Sequence, residues 1–282
     1  MPSFPYLKLS NLTSRRVLEL IDNPTDVSLD PTVTNFHHSN HQFGAVILFK
    51  HLLTLFSGPI TVKLNLHVIR NVFALISHRE LQKCENLVIK PLLNNWKNER
   101  VDEDDLEEIL KTVEVRKTMN VMVDSKRRFA IDKFRHLTSL QLFSAPWMTL
   151  SDLISLQCKT IIIHNHQFIK SDLIGFINNW KAGNMENMDF LRLSWKGSLG
   201  FYKEEIYPEY YDGKRRPRDY KHPFYSNPIN CNLGLDIIRA DGRIASLVYL
   251  NGFEESLFFF VWKKEQMDYT DKKHTDKEIA DN

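Results

Sequence analysis

A short apolar pattern, apolar-x-x-apolar-x-apolar, recurs along the chain at intervals close to those of a repeat protein. It occurs as Cys84, Leu87, Ile89; as Leu137, Leu140, Leu142; as Cys158, Ile161, Ile163; and as Met188, Leu191, Leu193. Two looser copies begin with threonine, Thr61, Leu64, Leu66 and Thr118, Val121, Val123. The central residues stand at 64, 87, 121, 140, 161 and 191, so the spacings are 23, 34, 19, 21 and 30. Leucine-rich repeats run at about 20–29 residues, and this series is similar but irregular. Successive side chains of a strand point to opposite faces, so the last two apolar places of each copy put one face of a short strand inward.

Between these strands the apolar spacing changes to that of a helix. Leu106, Ile109, Leu110 and Val113 make one stripe, as do Leu173, Phe176, Ile177 and Trp180. Thr149 followed by Asp152 reads as an N-cap with an acidic third position, opening a short helix through Leu150, Leu153 and Ile154. A single strand and helix cannot bury its own apolar face, whereas stacked neighbours build a continuous core. The expected architecture from about residue 60 to 195 is therefore an α/β, leucine-rich-repeat-like irregular solenoid with a mostly parallel sheet. Leu140, Leu142, Ile161, Ile163, Leu191 and Leu193 are expected on one buried side of it.

The last third reads differently. Residues 197–232 are rich in Tyr, Pro and charge, which predicts a long loop or irregular insertion. Leu235–Arg239 and Ile244–Leu250 flank Asp241-Gly242, a hairpin signal, because glycine tolerates the positive φ of a tight turn. A third antiparallel strand is expected within 253–262. The sparse apolar content after Lys263 predicts a disordered tail over 263–282.

Composition excludes several functions. Lys plus Arg number 37 against 35 Asp plus Glu, a net charge of +2, so no global field draws a polyanion, and no nucleic-acid partner is expected. The most apolar runs, 45–49 and 258–262, are far shorter than the roughly 20 residues that span a bilayer, so no membrane partner is expected. The N-terminus lacks the apolar core of a secretory signal. Three cysteines, Cys84, Cys158 and Cys231, form neither a disulfide framework nor a zinc cluster. A reducing compartment, cytoplasmic or nuclear, is the expected location. The chain holds no G-x-S-x-G, phosphate-binding G-x-x-x-x-G-K, H-E-x-x-H or H-x-E with C-x-x-C, and 10 glycines leave little for a nucleotide cradle. No enzyme activity, cofactor or metal is expected. His37, His38 and His41 lack a carboxylate or thiol nearby and read as a solvated loop. The acidic run from Asp102 to Glu108 reads as a solvated helix start that complements the helix dipole. Lys214 to Lys221 carries five basic residues among eight; it reads as a charged surface loop, with a localisation signal or partner contact as the alternative. Trp147, Trp180 and the cysteines read as core.

Two stretches go beyond pattern. The run from Trp147 to Ile163 (WMTLSDLISLQCKTIII) and the run from Ser171 to Gly183 (SDLIGFINNWKAG) resemble the core of the type 2 F-box-associated domain, a family expanded mainly in nematodes. Asp236 to Ala245 with Phe259 to Trp262 is similar to that domain's closing hairpin, so the resemblance covers roughly residues 134 to 262. In that family the domain follows an F-box, which docks on the Skp adaptor of cullin-based (SCF) ubiquitin ligases. Phe4, Pro5, Leu7 and Leu9, followed by Val17, Leu18 and Ile21, are similar to the opening of an F-box. The resemblance implies that these seven residues bind the adaptor, with Leu7 and Leu9 as an apolar entry and Ser14 capping a short helix that carries Val17, Leu18 and Ile21 on one face. The family's proline after the second leucine is Ser10 here, and Pro24 and Pro31 interrupt the next helix, so the F-box is truncated.

The domain organisation that follows is a partial F-box-like segment and loop over 1–42, an F-box-associated domain over 43–262, and a tail. The implied function is a non-catalytic substrate-recognition subunit of a cullin-type ubiquitin ligase, with adaptor, cullin and a target protein as partners. An interaction module that has lost adaptor docking is the alternative. The side chains beside the inward strand places, Ser139, Gln141 and Phe143; Thr160, Ile162 and His164; Phe190, Arg192 and Ser194, lie on the opposite sheet face. That face is either the target surface or is covered by the insertion and closing hairpin.

Overall fold

The computed structural model describes residues 16–20, 60–65, 82–90, 103–195, 209–210, 216–222, 228–232, 234–250 and 255–267. The chain divides into two compact units, residues 1–124 and residues 125–282. His37, His38 and His41, the adaptor residues Phe4, Pro5, Leu7, Leu9 and Ile21, and the tail beyond Met267 lie outside the described residues.

In the first unit, strands β1 (Arg16–Leu20), β2 (Ile60–Asn65), β3 (Lys83–Lys90) and β4 (Glu114–Val121) pair in parallel, in that order. Helix α1 (Glu103–Thr112) makes the crossover from β3 to β4. Its acidic first turn, Glu103, Asp104 and Asp105, sits where the dipole favours negative charge, and Leu106, Ile109 and Leu110 are its buried stripe. Cys84, Leu87 and Ile89 of β3 are buried, as are Met119 and Val121 of β4. The expected N-terminal helix is corrected here: Val17 and Leu18 lie on β1, opposite Thr61 and Val62. A one- or two-turn helix is marginal on its own, whereas β2 offers this aliphatic run a ready ladder of backbone partners.

The second unit is built on a strand–helix–strand–helix–strand core. Strands β5 (Ser139–Leu142), β6 (Thr160–His164) and β7 (Phe190–Trp195) pair in parallel. Helices α2 (Leu150–Ser155) and α3 (Lys170–Lys181) form the crossovers. The Thr149–Asp152 capping box forms as the spacing predicts: Thr149 Oγ1 accepts from Asp152 N at 3.2 Å, and Thr149 N donates to Asp152 Oδ2 at 3.0 Å. Arg128 closes the other carboxylate oxygen at 2.8 Å. Leu140, Leu142, Ile161, Ile163, Leu191 and Leu193 are all at most 1% exposed, as the repeated spacing requires.

Beyond the core the sheet stops being parallel. Strands β8 (Glu209–Tyr210), β11 (Leu235–Ile238), β12 (Ile244–Leu250) and β13 (Glu255–Val261) extend it in the order β7-β13-β12-β11-β8, all pairing antiparallel. The expected hairpin forms between β11 and β12, with Gly242 at φ +84° in its turn. A further antiparallel pair, β9 (Asp219–Tyr220) and β10 (Ile229–Asn230), lies within the insertion. The result is a mixed α/β sheet, not a solenoid. A solenoid propagates only if each new strand arrives through a crossover, and here β13 enters antiparallel beside β7 and ends the series. Within the tail expected to be disordered, residues 264–267 form a helical turn and Met267 packs on a buried cluster, while the rest lies outside the described residues.

Two cores result, one on each sheet face. On the helix side Phe176 and Trp180 of α3 meet Phe259 edge-on, with ring centroids 5.1 and 5.3 Å away. Gly175 lets α2 and α3 approach: a Cβ there would stand 2.6 Å from Leu150 Cδ2. Gly175→Val is expected to force this contact apart and lower stability by about 1–3 kcal/mol, measured by urea unfolding. Gly175→Ala is expected to cost less, because the Leu150 side chain can rotate away.

Candidate functional site

The second core decides how much of the opposite sheet face is open. Ile162, Phe190, Ile244, Val248, Phe258 and Phe260 from the sheet pack with Tyr220, Ile229 and Cys231 of the insertion and with Trp262. Tyr220 stacks on Phe260 at 4.0 Å, and His222 stacks on Phe190 at 3.9 Å. A buried polar chain fastens this cover. Arg216, fully buried, donates through Nε to Asp236 Oδ1 and Oδ2 at 2.8 and 2.7 Å. Trp262 Nε1 donates to Ser246 Oγ at 2.7 Å, and Ser246 Oγ donates to Asp236 Oδ1 at 2.6 Å. The Arg216 guanidinium also lies 5.3 Å from the Trp262 ring. Sequence reading placed Arg216 in a solvated basic loop; a buried carboxylate partner 20 residues away gave no local signal.

Of the nine residues expected on that face, Phe190, Ile162, Thr160 and Ser194 are buried, at 0%, 6%, 8% and 1% exposure. Phe190 and Ile162 are core beneath the insertion and offer a partner nothing. Ser139, Gln141, Phe143, His164 and Arg192 remain half-buried. Phe143 and His164 pack together, ring centroids 6.0 Å apart. Arg192 donates to Ser194 Oγ at 2.9 Å and to Ser256 Oγ at 3.3 Å, with its guanidinium 5.4 Å from the Phe258 ring.

A second cluster, not anticipated from sequence, lies at the carboxyl ends of β6 and β7. His166, just past β6, bridges back to Ala145 in parallel fashion and lies 5.3 Å from Trp195 and 4.9 Å from Phe168, measured between rings. Trp195 ends β7, faces Glu255 across the ladder to β13, and packs on Tyr249 at 6.0 Å. Tyr249, Leu250 and Ile169 are the exposed large hydrophobic residues among those described, at 39%, 43% and 63%. Partial burial and the Glu255 carboxylate raise the Tyr249 phenol to about 12. The only sequence signal for this cluster was the position of these residues at strand ends, where α/β sheets commonly take ligands.

Burial, with the neighbouring His164, pushes His166 down to about 4, and burial pushes His222 down to about 4 as well. An unfolded histidine titrates near 6.5, so between about 6.5 and about 4 the unfolded chain binds protons that the folded chain refuses. Stability is therefore complete above about pH 6.5 and falls as pH drops toward 4, by up to about 1.4 kcal/mol per pH unit for each histidine. Urea midpoints at pH 7 and pH 5 should differ accordingly, and a His166→Gln/His222→Gln chain should show a shallower dependence. Equal slopes for the two chains contradict the assignment.

Burial pushes Cys84 and Cys158 up to about 12 and Cys231 up to about 11, so all three thiols stay protonated and act as core. Trp180 is core too, and Trp147 is half-buried against Phe129 at 5.3 Å. Among the described residues no cluster of His, Cys, Asp and Glu is arranged to hold a metal, and no helix is long and apolar enough to cross a membrane.

The parallel core with its two helices is the part of the chain that matches a known family. Residues 127–193 match the family described as F-box associated. The matched stretch spans β5, α2, β6 and α3 and ends within β7, so the half-buried strip and the His166 cluster lie on it or directly beside it. Two curated proteins of Caenorhabditis elegans are similar over most of the chain. Uncharacterized protein F59B2.8 is 29% identical over 234 residues, which is 81% of this chain and 52% of its own length. Uncharacterized protein F59B2.9 is 26% identical over 237 residues, 80% of this chain and 53% of its own. The chain thus spans about half the length of the curated relatives it matches. Both relatives are nematode proteins, in keeping with a nematode-expanded family. No solved structure matches the chain.

Proposed function

We propose that this chain is a non-catalytic substrate-recognition subunit of a cullin-type ubiquitin ligase, taking a target protein on its second unit and reaching the Skp adaptor through its N-terminal segment. The observation that carries the reading is the F-box-associated match over residues 127–193. The half-buried strip of Gln141, Phe143, His164 and Arg192 supports it, because aromatic and arginine side chains beside polar ones are the usual makings of a binding hot spot. Docking on the adaptor rests on Phe4, Pro5, Leu7, Leu9, Val17, Leu18 and Ile21. A Leu7→Asp/Leu18→Asp chain, which would bury unpaired charge at that contact, is expected to lose adaptor in a pull-down. Equal recovery by the double variant and the natural chain rejects the docking assignment.

A second reading, an interaction module without ligase docking, is favoured by one observation. Val17 and Leu18 lie on strand β1, paired to β2, where the family's opening pattern calls for a helix. Under that reading neither chain recovers adaptor, while target binding persists. Location in the cytoplasm or nucleus follows from either reading, and fluorescence imaging of a tagged chain tests it.

A further inference from the structure

Three polar atoms in the cluster at the carboxyl ends of β6 and β7 are buried without a hydrogen-bond partner: His166 Nε2, Trp195 Nε1 and Glu255 Oε2. Buried polar groups in folded proteins are nearly always bonded and an orphan is costly, so three in one neighbourhood require a reason. Their chemistry is fixed by their surroundings. The Phe168 backbone N–H donates to His166 Nδ1 at 3.1 Å, which assigns Nδ1 as an acceptor. Burial keeps the ring neutral, so its one proton sits on Nε2 and that atom is a donor. The Trp195 indole N–H is a donor by nature, and Glu255 Oε2 is an acceptor. His166 and Trp195 are each more than nine-tenths buried, at 9% and 8% exposure. The ring of Trp195 touches that of His166 at 5.3 Å, and Glu255 stands opposite Trp195 in the β7–β13 ladder.

We propose that this edge binds the side-chain carboxamide of an asparagine or glutamine, carried on an extended segment of a partner protein. A carboxamide oxygen accepts from two donors and its NH₂ donates to a carboxylate, so its donor and acceptor set matches that of His166, Trp195 and Glu255. A carboxylate ligand fits badly: it brings no donor for Glu255 and places a second negative charge beside it. A purely apolar ligand leaves all three atoms unpaired. The exposed side chain of Tyr249, packed on Trp195, flanks the cluster and supplies apolar contact for the residues next to the carboxamide. Tyr249 packs on Trp195 from the exposed side, and its ring has to swing outward for the ligand to enter. The inference deepens the target-recognition reading and rests on it for the identity of the partner as a protein.

The test is selection of displayed random short peptides on the immobilised full chain. Enriched peptides are expected to carry Asn or Gln beside an apolar residue. A synthetic peptide of that sequence should lose about tenfold or more in affinity when its Asn or Gln becomes Asp or Glu, and by a similar factor on His166→Phe or Trp195→Phe chains. Glu255→Gln, which replaces an acceptor by a group with both roles, should relax the discrimination against Asp and Glu, and it keeps the proposal testable if the aromatic variants fail to fold. No enrichment, enrichment of acidic or purely apolar peptides, or affinities unchanged by these substitutions would overturn it. Adaptor recovery by the His166→Phe chain should be unchanged, so failure of the carboxamide site and failure of ligase docking give different results.

Discussion

Asp236→Ala is expected to destabilise the protein by about 3–5 kcal/mol, a large fraction of the stability of an ordinary domain. The substitution leaves the Arg216 guanidinium buried and uncompensated, and it strips Ser246 of its acceptor, so Trp262 loses the chain that orients it. This polar chain ties the insertion to the sheet beside the apolar contacts of Tyr220, Ile229 and Cys231. Its departure would expose Phe190, Phe258 and Phe260. The pair itself contributes less than its removal costs, because two charges were desolvated to form it. A double replacement, Arg216→Met with Asp236→Leu, should therefore recover most of the lost stability. Urea unfolding of the three chains decides the matter: a loss below about 1 kcal/mol for Asp236→Ala means that the cover is held by apolar contact alone.

Trp180→Ala is expected to cost a comparable amount, about 3–5 kcal/mol, through a different cause. Trp180 is fully buried between α3 and the sheet, edge-on to Phe259 at 5.3 Å and with the Arg239 guanidinium 5.3 Å from its ring. Its removal opens a cavity too deep for the rigid sheet to collapse into. Trp180→Phe keeps most of the apolar volume and should lose markedly less. Calorimetric melting of the two variants separates a packing role from a polar one, because the indole N–H has no hydrogen-bond partner to lose.

The parallel strands were legible in the sequence because their constraint is local. The central residue of each of the six apolar copies falls on one of the strands β2 to β7, and the two helical stripes lie on α1, with Val113 just past its end, and on α3, since periodicity of 2 or 3.6 residues is set by which side chains must face inward. Topology beyond β7 was not legible. Phe259 pairs with Leu191 across 68 residues of chain, and nothing in either neighbourhood says whether a strand adds parallel or antiparallel. The buried Arg216 was missed for the same reason: composition marks a Lys-Arg-rich run as solvated, and only the fold brings Asp236 to it. The candidate surface divided accordingly. Alternation placed Ser139, Gln141, Phe143, His164 and Arg192 on the face opposite the helices, but the extent of the insertion's cover over Ile162 and Phe190 depends on pairing between β9 and β10 that two-residue strands do not announce. The His166, Trp195 and Glu255 cluster joins three strand ends far apart in sequence, so only the assembled sheet shows that they share an edge.

Whether the chain carries a target protein to a ligase is decided by affinity purification of the tagged chain from nematode extract with quantitative mass spectrometry. Co-enrichment of a Skp-type adaptor, a cullin and at least one further protein is expected. Adaptor and cullin should disappear with Leu7→Asp/Leu18→Asp while the further protein remains, and the further protein should weaken with Arg192→Ala or Phe143→Ala while the adaptor remains. Recovery of a partner protein with neither adaptor nor cullin would contradict the ligase assignment and leave the chain as a recognition module alone.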